Sequence, residues 1–228
     1  MGNGDIAHIT RGYQTDYKRL YASSPENAMV LNVTLVQGFG VIPAGTPLSK
    51  VTAGAPSKGK YVPYNKTVFA NYTNGGGAFL LSTPSGTDLE VTLEDSYKFA
   101  VGDSVIVADN NTKTSSSEAG GLITAIDRTT YPNKAVITVT NSISGATFTA
   151  TLFAKVFHIA GADNSNTWSD CAGILDVAVD TGVGEKAVGG VGSMVIKNAM
   201  LYDGMCPNVD AAARADISAS VNGQFLIL

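Results

Sequence analysis

The chain has 228 residues, 44% of them hydrophobic and 15% charged, with a formal net charge of −4. The apolar content excludes a disordered chain, and the dispersed Lys and Arg residues form no basic face, which excludes unaided nucleic-acid binding. Compact-fold scaling gives roughly 9,800 Å² of surface against about 34,000 Å² for the open chain, so there is apolar burial enough for one large domain or two small ones.

Glycines, dispersed threonines and short β-branched runs predict a mainly β fold. Residues 1–27 are polar and carry no alternation. Within them Tyr13, Tyr17, Leu20 and Tyr21 fall at i, i+4, i+7 and i+8, one apolar stripe on a short helix. Such a helix is marginal in water. The segment is either a loosely ordered tail or an arm that orders on a partner. Tyrosine anchors, with large contact area and a polar tip, suit the second reading. Residues 28–65 hold a predicted strand Val30–Val36, a Pro43-Ala44-Gly45-Thr46 turn and a strand Lys60–Tyr64. Pro43 fixes φ and Gly45 can take φ > 0, so a tight turn is expected there.

Residues 66–159 read as a second run of strands: Leu89–Leu93, Ser104–Ala108, Leu122–Ile126, Ala135–Thr140 and Thr147–Phe157, separated by polar turns including Asn110–Gly121. The spacing predicts a small barrel or sandwich. Residues 160–228 give a loop Gly161–Asp170, a strand Gly173–Val179, a Gly-rich stretch Thr181–Gly192 and a strand Ser193–Asn198. A short helix capped by Asn208 and a terminal strand Phe225–Leu228 follow.

Reactive constellations are missing from the sequence. His8 and His158 are isolated, and no His/Cys spacing resembles a zinc site. Asp176 and Asp180 would share one face of a strand about 13 Å apart, too far for a paired-carboxylate hydrolase. Gly182-x-Gly184 precedes an alternating segment rather than a phosphate-facing helix, so it is no nucleotide loop. Gly75-Gly76-Gly77 has no Lys-Ser/Thr after it. Trp168 reads as a core or interface plug. Nothing assembles a nucleophile, a base and an oxyanion hole, so the expectation is no enzyme, no metal and no cofactor. No apolar run is long enough to span a membrane, and the N-terminus has no secretory pattern. Cys171 and Cys206 are expected to be free and buried, with a disulfide as the minority reading.

Two separated pieces resemble the lambda-type head decoration proteins of tailed bacteriophages. One is Ile42-Pro43-Ala44-Gly45-Thr46-Pro47-Leu48 with Gly59-Lys60-Tyr61-Val62-Pro63-Tyr64. The other is Ala172-Gly173-Ile174-Leu175-Asp176-Val177-Ala178-Val179-Asp180-Thr181, with the closing Asn222–Leu228. In that family the corresponding motifs lie close together; here residues 66–159 intervene. The resemblance implies a β-tulip-like decoration core, 28–65 with 160–228, interrupted by an inserted SH3-like β-barrel and preceded by an extended arm, 1–27. It implies a homotrimer on the outer surface of the expanded virion capsid, made in the host cytoplasm, that contacts the major capsid protein and stabilises the shell against DNA pressure. Tyr13, Tyr17, Leu20 and Tyr21 would be the capsid contacts, and Pro43, Gly45 and Thr46 the structural turn. The rival reading is a head-fibre or carbohydrate-binding module, for which Tyr72, Phe79 and Tyr131 are the scattered aromatic candidates.

Overall fold

The computed structural model describes residues 20–22, 25–65, 75–84, 86–108, 117–143, 154–160, 170–206, 208–220 and 225–227. In chain order the strands are β1 (Met29–Leu35), β2 (Val41–Ile42), β3 (Pro47–Lys50), β4 (Tyr61–Pro63), β5 (Gly77–Phe79), β6 (Gly86–Thr92), β7 (Ser104–Ala108), β8 (Ser117–Asp127), β9 (Lys134–Ile143), β10 (Lys155–His158), β11 (Cys171–Leu175), β12 (Val179–Asp180), β13 (Gly190–Lys197), β14 (Ala199–Leu201) and β15 (Phe225–Ile227). Helix α1 (Leu93–Ser96) lies between β6 and β7, and α2 (Ala211–Ser220) between β14 and β15. The fold is mainly β.

Five strands close a barrel in the order β1-β13-β11-β3-β4. Its strands come from both ends of the sequence, before residue 64 and after residue 170. Strand β1 runs antiparallel to β13, and the barrel closes where Leu35 meets Tyr61. Val33, Leu35, Leu48, Leu175, Val179 and Met194 fill the interior. Gly190 and Gly192 stand opposite Leu35 and Val33, and a Cβ at either would run into Val179. Glycine there makes room for the branched side chains. A second core lies outside the barrel wall, where α2 covers Tyr64, Cys171, Ile174 and Val195. Asp210 caps α2 by accepting from Ala213 N at 2.8 Å, so the cap is Asp210 and not the expected Asn208. Cys171 N donates to Asp216 Oδ2 and ties the helix to β11.

The remaining large sheet has the order β5-β10-β7-β8-β9-β6. Its outer strands approach each other, with Leu81 N donating to Glu90 O at 2.8 Å. Leu89, Val91, Val105, Ile123, Ile137 and Val156 form its own core. Strand β8 begins at Ser117, inside the stretch expected to be a loop. Gly121 takes φ +76° where the register shifts between β7 and β8, so the strand passes through a bulge and keeps pairing. Residues 110–116 of that expected loop lie outside the described residues, as do 161–169 with Trp168, and His8.

One expected strand breaks in two. Gly173–Val179 is interrupted after Leu175, whose carbonyl accepts from Gly45 N while Asp176 N turns to Ser193 O. Asp176 and Asp180 therefore do not share a strand face, and Asp176 is buried.

Candidate functional site

The Pro43–Thr46 turn forms as its residues demand. Thr46 N and Thr46 Oγ1 both donate to the Pro43 carbonyl, at 3.3 and 2.7 Å. Gly45 has φ +83°, the left-handed value a type II turn needs at its third position. A Cβ there would strike the Met205 carbonyl. The turn is locked to the distant segment 172–181: Gly45 N donates to Leu175 O and Leu175 N to Thr46 O, each at 2.8 Å. Beyond it β3 pairs with β11, Leu48 opposite Gly173, and β2 pairs with β12, Ile42 opposite Val179. Motifs more than a hundred residues apart in sequence thus lie side by side.

Beside the turn opens a cleft of about 280 Å³, lined by Phe39, Val41, Ile42, Pro43, Thr46 and Lys98 among others. Lys98 enters it from the turn after α1. Its ammonium pairs with Asp95 Oδ1 at 2.6 Å, donates to Gly77 O at 3.2 Å and lies 5.2 Å from the Phe39 ring centroid. The charge is thereby balanced locally. Such a cleft can take an apolar side chain; it presents no nucleophile beside a base.

The four expected contact residues part company. Tyr13 and Tyr17 lie outside the described residues. Leu20 and Tyr21 are 1% and 6% exposed and belong to the core under α2. Ala22 N donates to Met200 O and Tyr202 N to Leu20 O, so the segment pairs alongside β14. The Tyr21 hydroxyl donates to Asp176 Oδ1 at 2.7 Å, and Ser193 Oγ donates to Oδ2 at 3.0 Å. Leu20 and Tyr21 are therefore core residues of the body, against the expectation that they contact a partner. Their apolar bulk finds cover within the chain itself.

Apolar side chains are offered elsewhere. Met29, Val30 and Leu31, at the start of β1, are 44–50% exposed, and Val41 and Val191 are more exposed still. Of the aromatic candidates for a carbohydrate surface, Phe79 lies under the Lys155 ammonium and Tyr131 under that of Lys134. Tyr72 lies outside the described residues.

Several buried polar groups were not visible in the sequence. Lys155 is fully buried, its Nζ 4.1 Å from the Phe79 ring centroid. Burial, reinforced by the Lys98 charge, pushes its pKa down to about 7. His158 and Asp103 are buried together, Nε2 to Oδ2 3.2 Å. A lone Lys or His in a strand of alternating residues carries no mark of such burial. Cys171 and Cys206 are free and buried, and burial, with Asp203 nearby, pushes the Cys206 thiol up to about 12. Among the described residues no group of three or more His, Cys, Asp or Glu could hold a metal, and no helix is long and apolar enough to cross a membrane.

No family model, no curated protein and no solved structure matches this chain.

Proposed function

We propose that this chain is a structural virion protein that decorates the outside of an expanded tailed-phage capsid as a trimer and stiffens the shell against internal DNA pressure. The observation that carries the reading is the pairing of the two family-like segments. The turn Pro43–Thr46 and strand β3 bond to Leu175 and β11 across the whole intervening large sheet. That is the arrangement expected if a decoration core had received residues 66–159 as an insertion between β4 and β11, strands that flank β3 in the barrel. The tulip-like description of the core, the SH3-like character of the insertion and the arm belong to the same proposal.

Two surfaces follow from it. The exposed Met29, Val30, Leu31 and Val191 on neighbouring strands β1 and β13 give the trimer apolar surface to bury. The arm shortens to residues before Leu20, leaving Tyr13 and Tyr17 as its anchors to the major capsid protein. Three arms on one trimer raise the effective concentration of each, so modest affinity per arm suffices. The test is co-sedimentation of the full chain with expanded shells and with unexpanded precursor shells of the virus that encodes it. Binding to expanded shells alone, by a particle of trimer mass in light scattering, is expected. A stable monomer that pellets with neither shell overturns the proposal.

A further inference from the structure

The barrel and the large sheet each have a core of their own, yet they meet at a buried polar joint. Gly54, in the turn after β3, bridges to Asp103, and a Cβ on it would strike the Asp103–Ser104 backbone. Thr52 N donates to Ile159 O at 2.9 Å. At the centre Asp103 Oδ2 accepts from Ala100 N at 2.8 Å and lies 3.2 Å from His158 Nε2, while the His158 ring stacks on Phe99 at 4.7 Å between centroids. Both side chains are fully buried, and Asp103 Oδ1 and His158 Nδ1 have no hydrogen-bond partner among the described residues. A polar network buried but only partly satisfied depends strongly on the charge of its members.

We infer that the Asp103–His158 pair, which ties the turn before β7 to β10 within the large sheet and so holds together the two segments on which Gly54 and Thr52 dock, is an acid-operated latch of this joint: protonation at Asp103 loosens those segments and frees the barrel there while each body keeps its own core. Burial by itself disfavours the Asp103 carboxylate, but the His158 hydrogen bond and charge, the Ala100 N–H and the Ser57 hydroxyl together hold its pKa below the ordinary aspartate value. A carboxylate with a depressed folded pKa contributes stability that is present above its unfolded pKa and is lost as pH falls through the folded one. The latch therefore holds at neutral pH and opens only as the pH falls below the ordinary aspartate range.

Among the described residues no other charge facing the pair replaces Asp103. Lys155 on β10 belongs to the opposite strand face, over Phe79. Lys98 and Asp95, before β7, pair with each other. Arg128, after β8, is taken up by Ser96 and the Phe99 carbonyl. On the turn that carries Ser57, Lys58 is exposed and Lys60 half-buried.

Hydrogen exchange on the full chain, corrected for intrinsic rates and followed from pH 6 to pH 2, is the test. Thr52 N–H reports the joint, Leu80 N–H the sheet and Leu175 N–H the barrel. The expected result is at least tenfold loss of Thr52 protection on acidification while Leu80 and Leu175 keep theirs. Asp103→Asn is expected to show the same loss already at pH 6; if that variant does not fold, the pH series of the unaltered chain decides. Thr52 protection that persists at low pH, or that falls only together with Leu80 and Leu175, overturns the inference.

Discussion

Lys155→Met tests the physical reading of the large sheet most directly. The side chain is fully buried, and its pKa falls from 10.5 to about 7. In the unfolded chain the amine keeps its proton up to its ordinary value, so between about pH 7 and 10 the unfolded state binds more protons than the folded one. Stability then rises with pH across that window. At 1.36 kcal/mol per unit, the charge costs the folded state a ceiling of about 5 kcal/mol below pH 7. The Phe79 ring returns part of this, about 2 kcal/mol for a desolvated cation–π contact. Methionine keeps the unbranched stem and removes the charge, so at pH 6 the variant should be more stable by about 1–4 kcal/mol. Urea denaturation at pH 6, 7, 8 and 9 is the assay. The unaltered chain should gain stability from pH 7 to 9 and the variant should not. Above pH 9 the raised Cys206 thiol acts the other way, because the unfolded thiol ionises first, so the comparison belongs below it. Equal slopes for the two proteins, or a variant less stable at pH 6, would refute the reasoning.

Leu20→Ala should lower the melting temperature of the free protein, at a cost of about 2–5 kcal/mol, because it empties a site in the core rather than on an arm; an unchanged melting curve returns Leu20 to the partner-facing surface. Tyr21→Phe should cost about 1–3 kcal/mol by leaving buried Asp176 one donor short, seen as a lower urea midpoint with unchanged slope. Gly45→Ala should lose about 1–2 kcal/mol to the left-handed backbone alone, with the Met205 carbonyl clash added, and calorimetry reads the sum. Cys206 should resist alkylation at pH 8 in the native protein and react once urea unfolds it; rapid native modification would contradict its burial and raised pKa.

Local chemistry was readable from the residues alone. Short β-branched runs marked the strands around Val33, Val105 and Ile137, and Pro43 with Gly45 announced their turn, because backbone conformational limits act within a few residues. The expected free, buried state of Cys171 and Cys206 also holds. What the sequence could not supply was which segments meet. Strand pairing joins Leu48 to Gly173 and Leu35 to Tyr61 only after long loops close, and nothing near either residue encodes its partner. The same distance hid the fate of Leu20 and Tyr21. Their spacing makes an apolar stripe, but whether a stripe faces a partner or its own core depends on α2 and β14, some 180 residues onward. It likewise hid Asp176, whose burial is possible only because Tyr21 and Ser193 arrive to donate to it. Amphipathic pattern fixes which side of an element must be covered; the tertiary fold alone decides by what, since burial is a property of the assembled surfaces and not of the segment that carries them.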